Sequence, residues 1–226
     1  LGKFGVRCIF EKDKLKVLGP IKSGRITIKD PVGSQLISGL LFALSRVQGN
    51  SLIEVINPVS YPYIEMSARL LNTFGADIRI ECKERVLIKG GCDLIHGRII
   101  IEGDWSSSAF FLVAGAVTGE VTITGLDPDS VQADREILKY LRHAGALLKI
   151  DQGSVKVSKS DLRGFTADIK DCPDLFIPLV ILGINCEGET KLYNYKRLKY
   201  KESDRPSAIV TELKAGKKRT RKKKLY

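Results

Sequence analysis

A period of about seventy residues constrains the fold of this chain more than any other feature of its sequence. Four segments with the composition of a helix end close with a glycine. These glycines, Gly5, Gly75, Gly145 and Gly216, stand 70, 70 and 71 residues apart. Glycine often ends a helix because it adopts the left-handed backbone conformation without a Cβ clash. The period therefore predicts a chain built from repeated structural units.

Each period repeats one order of elements. The first three glycines precede alternating segments separated by a polar turn, which predicts β-hairpins at 6–18, 76–88 and 146–157. The rest of the period predicts a strand, an apolar helix, a second strand and an amphipathic helix, so the unit is βαβαββ. The first strands are predicted at 25–28, 98–101 and 165–169, the apolar helices at 35–46, 107–117 and 175–185, the second strands at 51–56, 120–124 and 189–193, and the amphipathic helices at 63–74, 132–143 and 205–215.

This order predicts an α/β chain with the last hairpin of one unit, two complete units and most of a further unit. We expect residues 1–95 to form part of a first lobe and residues 96–216 part of a second, because the stretch 90–94 has the composition of a linker. Residues 217–226 are predicted to be a disordered basic tail. The chain is therefore expected to be a fragment of a longer protein.

Composition and charge narrow the class of protein. Hydrophobic residues make up 43% of the chain, and no apolar run approaches the ~18 residues that a membrane span needs. The five cysteines form no CxxC pair, which disfavours a zinc site and favours a reducing, cytoplasmic location. The net charge is +11, and seven cations lie in the last ten residues, which either bind nucleic acid or an anionic membrane or form a solvated end.

Two helix starts in the first complete unit carry residues that suit an anion. Gly33, Ser34 and Gln35 open the apolar helix, and Ser60 and Tyr63 lie at the start of the amphipathic helix. Helix N-termini attract phosphates because they present unpaired N–H groups and the positive end of the helix dipole. Serine is also a preferred N-cap, so spacing alone leaves plain capping open.

Charged residues stand at the corresponding positions of the last unit. Asp174 lies at the start of its apolar helix, and Lys201, Glu202 and Arg205 lie at the start of its amphipathic helix. Lysine supplies a point charge for a phosphate, arginine a planar fork for a carboxylate, and glutamate a proton if its pKa is suitably tuned. A charged, solvated helix start is the alternative interpretation.

Five motifs, in order along the chain, resemble the 5-enolpyruvylshikimate-3-phosphate synthase family. They are Gly-Ser-Gln at 33–35, Ser-Tyr-Pro-Tyr-Ile at 60–64, Gly-Asp-Trp-Ser-Ser at 103–107, Asp-Cys-Pro-Asp-Leu-Phe at 171–176 and Lys-Glu-Ser-Asp-Arg at 201–205. The resemblance extends to about Gly216. It implies the two-lobed enolpyruvyl transferase fold, an inside-out α/β barrel of repeated βαβαββ units, with both lobes incomplete in this chain.

The resemblance also implies an activity. The family transfers the enolpyruvyl group of phosphoenolpyruvate to the 5-hydroxyl of shikimate 3-phosphate and releases phosphate, in aromatic amino acid biosynthesis, without a metal or organic cofactor. These two small molecules are the expected partners, neither a membrane nor nucleic acid is expected as one, and a monomer is expected for the full-length family. The fragment is expected to be inert alone and to self-associate through exposed sheet edges.

The roles implied for the first complete unit concern shikimate 3-phosphate. Ser34 and Ser60 would bind its phosphate, Gln35 would contact both substrates and Tyr63 would lie against the ring. Gly33 stands where the family has a serine, so one hydroxyl is missing although the backbone N–H remains.

The roles implied for the last unit are catalytic. Asp174 would hydrogen-bond the ring hydroxyls and act as the base at the 5-hydroxyl, and Glu202 would protonate and then deprotonate the methylene carbon of phosphoenolpyruvate. Lys201 would reach shikimate 3-phosphate, and Arg205 would clamp the carboxylate of phosphoenolpyruvate. Arg197 occupies a substrate-binding position that is asparagine in some members and arginine in others.

Two other functions stay open. An enolpyruvyl transferase that acts on UDP-N-acetylglucosamine would share the fold, although the motifs at 171–176 and 201–205 favour the shikimate enzyme. A non-catalytic protein that binds nucleic acid through residues 217–226 would show tail-dependent affinity with a steep salt dependence.

Overall fold

The computed structural model describes the backbone of residues 1–223 and the side chains of residues 1–215. The chain divides into two compact units, one of residues Leu1–Ile100 and one that begins at Ile101, five residues after the boundary expected from the sequence. Among the described helices, none combines the length and the apolar character that a membrane crossing requires.

The first unit contains an isolated hairpin followed by one full repeat. Its elements are β1 (Arg7–Glu11), β2 (Lys14–Leu18), β3 (Arg25–Lys29), α1 (Gln35–Arg46), β4 (Ser51–Ile56), α2 (Tyr61–Thr73), β5 (Asp77–Glu81) and β6 (Arg85–Lys89). Strands β1 and β2 form a two-stranded antiparallel sheet. The other four strands form a sheet of order β3-β4-β6-β5, in which β3 and β4 are parallel and the other pairs antiparallel.

One face of the four-stranded sheet and the two helices form the core of the first unit. Strand β4 alternates between buried and partly exposed residues, as a strand with one covered face does. Ile37, Leu41 and Leu44 of α1 are fully buried in this core, and α2 contributes Ile64 and Leu71. Burial of an aliphatic side chain of this kind stabilises the fold by about 1.5–3 kcal/mol. The core therefore fixes the positions of α1 and α2, whose starts carry the predicted site residues.

The second unit holds a repeat that lacks its first strand, and then the first four elements of another. Its elements are α3 (Trp105–Thr118), β7 (Glu120–Thr124), α4 (Ile137–His143), β8 (Leu147–Asp151), β9 (Ser154–Ser158), β10 (Thr166–Asp168), α5 (Phe176–Gly183), β11 (Lys191–Tyr193) and α6 (Arg205–Lys223). Strands β7, β9 and β8 form an antiparallel sheet in that order, and β10 pairs with β11 in parallel. The 3₁₀ turns Ala133–Glu136 and Pro173–Leu175 precede α4 and α5 and shorten the helices predicted there.

The glycine period is confirmed at three of its four positions. Gly5, Gly75 and Gly145 have φ angles of 77°, 93° and 87°, and an antiparallel hairpin follows each of them. Gly216 lies within α6, so the prediction that it ends a helix is wrong. Lysine and arginine, which dominate the sequence after it, are good helix formers. The predicted tail, 217–226, therefore has a helical backbone up to residue 223, while its side chains and its last three residues lie outside the described part of the chain.

The strand predicted at 98–101 is absent. Ile100 and Ile101 are 96% and 87% exposed, and no described strand pairs with this segment. A β-branched run forms a strand only where a partner edge and a surface to pack on are available. The local pattern was sufficient to predict the strand, but the pairing that would form it is not present.

Candidate functional site

In the first unit, the predicted phosphate-binding residues open α1. Gly33 precedes Ser34, which is the N-cap residue and is 8% exposed, and Gln35 is the exposed first residue of the helix. Ser34 has a helical backbone conformation, and its hydroxyl makes no capping hydrogen bond. The N–H groups of the first turn are therefore not taken up by their own cap and can donate to an anion.

The start of α2 has an unusual backbone conformation. Ser60 is its N-cap residue, is buried, and has φ 52° and ψ 35°, in the left-handed region, without a side-chain capping bond. Non-glycine residues in this region are uncommon, and they concentrate at functional sites. Tyr63 lies in the first turn of α2 and donates its backbone N–H to the carbonyl oxygen of Ser60 (3.2 Å).

A serine pair one turn further along holds these two helix starts together. Ser67 Oγ of α2 lies 3.0 Å from Ser38 Oγ of α1 and 2.9 Å from the carbonyl oxygen of Tyr63. The backbone N–H of Ser38 donates in turn to the carbonyl oxygen of Ser34 (2.9 Å). The first unit therefore brings the two predicted phosphate-binding helix starts side by side.

In the second unit, Arg205 joins the two predicted acid–base residues. Asp174 lies in the 3₁₀ turn before α5, and Arg205 is the first residue of α6. Arg205 Nη1 donates to Asp174 Oδ1 (2.5 Å), and Arg205 Nη2 donates to Glu202 Oε2 (3.2 Å). The Arg205 side chain is 20% exposed, whereas that of Glu202 is 73% exposed. One guanidinium fork thus lies between two carboxylates, the pairing for which its planar geometry is suited.

These contacts set the charge of the cluster. A hydrogen bond from its own backbone N–H, followed by the one from Arg205, lowers the pKa of Glu202. Burial lowers the pKa of Arg205, but its hydrogen bonds to Asp174 and Glu202 and the charges of both outweigh that effect and raise it. Glu202 is therefore a carboxylate at neutral pH in this arrangement. In the part of the chain with described side chains, no group of histidine, cysteine, aspartate or glutamate could hold a metal ion.

Arg197 and Lys201 belong to the segment between β11 and α6. Arg197 lies in the 3₁₀ helix Lys196–Tyr200, and Lys201 is the residue that ends it. Arg197 Nη2 donates to the carbonyl oxygens of Ile169 (3.4 Å) and Lys170, in the stretch that follows β10. Burial lowers the pKa of Arg197, against the opposing charges of nearby aspartates. Arg197 thus braces the backbone that leads to α5, and its contact with a substrate stays a prediction.

The sequence analysis missed a buried polar frame behind Asp174. Tyr140 Oη donates to the carbonyl oxygen of Asp168 (2.8 Å), and Cys172 Sγ lies 3.7 Å from the same oxygen. Asn194 Nδ2 donates to the Asp168 carboxylate (2.8 Å). Burial raises the pKa of Cys172, so its thiol stays protonated and can donate. A tyrosine within an amphipathic helix gives no sequence signal of such a contact, because its acceptor is a backbone carbonyl 28 residues away.

The motif at 103–107 has a capping role in the structure. Asp104 accepts hydrogen bonds from the backbone N–H groups of Ser106 (2.9 Å) and Ser107 (3.3 Å), and it therefore caps α3. Burial raises the pKa of Asp104, but the hydrogen bonds from both serines outweigh burial and lower it. The start of α3 is thus occupied by its own cap, unlike the start of α1.

The repeated units and these two clusters define the class of protein as an enolpyruvyl transferase. The solved structure of EPSP synthase from Acinetobacter baumannii matches with a TM-score of 0.70 at 25% identity, over 93% of this chain and 50% of that chain. The enolpyruvyl transferase NikO from Streptomyces tendae matches with a TM-score of 0.64 over 86% of this chain and 51% of that chain, and at 17% identity it shows the fold alone.

Sequence relatives identify the family within this class. A model of the family EPSP synthase (3-phosphoshikimate 1-carboxyvinyltransferase) matches residues 1–221. The 3-phosphoshikimate 1-carboxyvinyltransferase of Clostridium novyi is 36% identical over 200 residues, 88% of this chain and 46% of the relative. That of Brachyspira hyodysenteriae is 35% identical over 209 residues, 91% of this chain and 50% of the relative. The chain belongs to this family, which confirms the prediction from its motifs, and it spans about half the length of the curated relatives it matches.

Proposed function

We propose that this chain takes part in the transfer of the enolpyruvyl group from phosphoenolpyruvate to the 5-hydroxyl of shikimate 3-phosphate, with release of phosphate. Family membership supports the reaction, and the Asp174–Arg205–Glu202 cluster is the observation that supports the roles of this chain's residues. The proposal includes both small molecules as substrates and a cytoplasmic reaction that needs no added cofactor.

The reaction needs a base at a hydroxyl, a proton donor at carbon and positive charge for anionic substrates. Asp174 accepts the proton of the 5-hydroxyl while that oxygen attacks the second carbon of phosphoenolpyruvate. Glu202, once protonated, delivers its proton to the methylene carbon, which becomes a methyl group. Glu202 then takes a proton back from that methyl group as the carbon–oxygen bond to phosphate breaks, and the proton held by Asp174 leaves with phosphate.

Arg205 connects substrate binding to this chemistry. Its fork is bonded to two carboxylates, and the carboxylate of phosphoenolpyruvate is a third ligand of the same kind that competes for it. When Arg205 donates to the substrate, Glu202 loses a hydrogen bond that lowers its pKa, so its protonation becomes easier. Asp174 loses its partner at the same time and becomes free to accept the hydroxyl proton. Lys201 adds positive charge for the phosphate.

We propose that the paired helix starts of the first unit bind the phosphate of shikimate 3-phosphate. The hydroxyls of Ser34 and Ser60 and the backbone N–H of Gly33 are the proposed donors, and Gln35 and Tyr63 contact the rest of the substrate. The start of α1, left without a side-chain cap, and the left-handed conformation of Ser60 support this assignment.

Calorimetric titration with shikimate 3-phosphate tests the phosphate site. Binding is expected, and shikimate, which lacks the phosphate, is expected not to reproduce it. Ser60→Ala should raise the Kd about tenfold or more, because a hydrogen bond to a charged group contributes about 1.5–3 kcal/mol. Ser130→Ala, at the corresponding position of the next repeat, is the control and should bind as the wild type does. Equal binding of shikimate, or no effect of Ser60→Ala, would contradict the assignment.

Because the chain spans about half the length of its relatives, we expect no measurable turnover from the chain alone. A sensitive assay of phosphate release with both substrates checks this expectation. Turnover that disappears in Glu202→Gln would show that the described residues suffice for catalysis and would overturn it.

Nucleic-acid binding through residues 217–226 stays a prediction from the sequence, because their side chains lie outside the described part of the chain. Deletion of these residues distinguishes the two functions. It should abolish any salt-sensitive affinity for nucleic acid and leave the binding of shikimate 3-phosphate unchanged.

A further inference from the structure

The hairpin β1–β2 has inward positions that are buried in the other two hairpins. The strand registers, counted from the glycine that precedes each hairpin, define these positions. On the return strands they are Leu15 and Val17 of β2, Val86 and Ile88 of β6, and Val155 and Val157 of β9. The residues of β6 and β9 are no more than 1% exposed, whereas Leu15 and Val17 are 54% and 57% exposed, beside Phe10 at 82%. The hairpin therefore presents a face that is patterned like a core but uncovered in the described structure.

The same hairpin also has an open backbone edge. Strand β6 pairs with β4, and β9 pairs with β7, on the edge away from the hairpin partner, whereas β2 pairs with β1 alone among the described strands. Just after β9, the N–H of Lys159 donates to the carbonyl oxygen of Gly119, so Val155 and Val157 direct their backbone groups toward β7. Leu15 and Val17 hold the corresponding positions in β2, so their backbone groups point to the open edge. An open edge next to an uncovered apolar face is a pairing surface.

The repeat that ends in α6 has the opposite deficiency. Strands β10 and β11 correspond to β3 and β4, but no described strand pairs with the second edge of β11. No side chain of α6 up to Ala215 is buried, and Val210 is 48% exposed. In the first unit, α2 packs on the hairpin strand β5 and buries three side chains. The α6 helix therefore lacks the hairpin that its counterpart packs on.

We propose that the β1–β2 hairpin of one copy of this chain pairs with β11 of a second copy. The resulting sheet has the order β10-β11-β2-β1, which reproduces the order β3-β4-β6-β5 of the complete repeat. Strand β2 runs antiparallel to β11, as β6 does to β4 and β9 to β7. When two copies exchange hairpins reciprocally, both deficiencies are met in each copy, so the closed assembly is a dimer.

The charges along the two edges favour this pairing. In the complete sheet of the second unit, Lys156 of β9 forms an ion pair with Glu120, the first residue of β7 (2.7 Å). Lys16 has the position of Lys156 in the first hairpin, and Glu189, like Glu120, directly follows a glycine at the start of its strand segment. The side chains of Lys16 and Glu189 are 57% and 75% exposed. Pairing of two β2 edges would instead bring lysines together, which disfavours it.

Sedimentation equilibrium of the purified 226-residue chain tests the proposal. A concentration-dependent dimer is expected, and Val17→Asp should raise its Kd about a hundredfold or more because it places a charge in the buried face. Ile9→Asp is the matched control, since Ile9 lies on the opposite face at the position of Arg79 and Lys149, which are both exposed. A chain that stays monomeric, or a dimer that both substitutions weaken equally, would overturn the proposal.

A disulfide trap keeps the test decisive if Val17→Asp does not fold. Thr122 and Lys156 lie opposite each other in the β7–β9 pair, so Lys191 and Lys16 are expected to be opposite, about 4.5–5.5 Å apart at Cα, within the range for a disulfide. The variants Lys16→Cys and Lys191→Cys, purified separately, mixed and mildly oxidised, should give a linked dimer whose bridge maps to positions 16 and 191. Thr190→Cys, one residue away on the other face, should cross-link at background level. Equal cross-linking of Thr190→Cys, or a bridge within one monomer carrying both substitutions, would overturn the proposal.

Discussion

Two helices that begin 70 residues apart, α1 at Gln35 and α3 at Trp105, hold the same place in the repeat and differ in how their starts are used. Asp104 accepts two backbone hydrogen bonds at the start of α3, and Trp105 is fully buried, with its Nε1 donating to the carbonyl oxygen of Asp127 (3.1 Å). Ser34 makes no capping bond at the start of α1, and Gln35 is exposed. One start is closed and the other is open.

The difference shows that a repeat copies the path of the backbone but not the use of its polar groups. At α3, Gln132 closes the site further, since its Oε1 accepts from the N–H of Trp105 (3.0 Å) and its Nε2 donates to the carbonyl of Gly103 (2.9 Å). Every polar group used in this way stabilises the fold and becomes unavailable to a ligand. Two residues at the helix start therefore separate a structural repeat position from a binding one.

Trp105→Ala is expected to give the largest effect on this comparison. Removal of a large, fully buried side chain costs about 3–5 kcal/mol of the free energy of unfolding. Gln35→Ala, the same position in α1, should change it by less than about 0.5 kcal/mol because the side chain is exposed. Urea denaturation followed by far-UV circular dichroism measures both, since Trp105 is the single tryptophan of the chain and its removal ends the fluorescence signal. Similar losses in both variants would show that the two starts are equally open.

Asp104→Ala is expected to have the next largest effect, about 1 kcal/mol at neutral pH, while Ser34→Ala, which removes no capping bond, should cost a few tenths. Hydrogen bonds from Ser106 and Ser107 lower the pKa of Asp104 in the folded state. Its contribution is therefore present above the pKa of the unfolded chain and is lost as the pH falls through the folded pKa. The difference between wild type and Asp104→Ala should shrink below about pH 4. Urea midpoints at pH 7 and pH 3 measure this, and an unchanged difference would contradict capping by a carboxylate.

Local patterns predicted most of the fold for a physical reason. Strand β4, helix α1 and strand β7 begin and end where the sequence predicted, because alternation and helical periodicity follow directly from which side chains are buried. The segment 98–101 has the same local pattern but no partner edge, and the helix after Gly216 has no hairpin to stop it. Pairing between distant segments decides these cases, and residue order within a short window does not encode it.

The candidate site divides in the same way. The motifs predicted Asp174, Glu202 and Arg205 as functional residues, but not that one guanidinium would join both carboxylates, a contact between residues 31 positions apart for Asp174. The left-handed conformation of Ser60 also left no mark in the sequence, since serine is an ordinary N-cap residue. Geometry adds what motifs lack, namely which groups are already engaged and which remain available to a ligand.

Ser60→Gly is expected to have the smallest effect on stability and sharpens the comparison further. Relief of the left-handed conformation gains about 1 kcal/mol, and the greater backbone entropy of unfolded glycine cancels about half of it or more, so the free energy of unfolding should change by less than about 0.5 kcal/mol. Ser60→Ala keeps the strained backbone and should be the less stable of the two. If the hydroxyl binds the phosphate, both variants should lose affinity for shikimate 3-phosphate equally in calorimetric titration. If Ser60→Gly binds as the wild type does, the backbone N–H groups at the start of α2 bind the anion, and the role proposed for the hydroxyl is wrong.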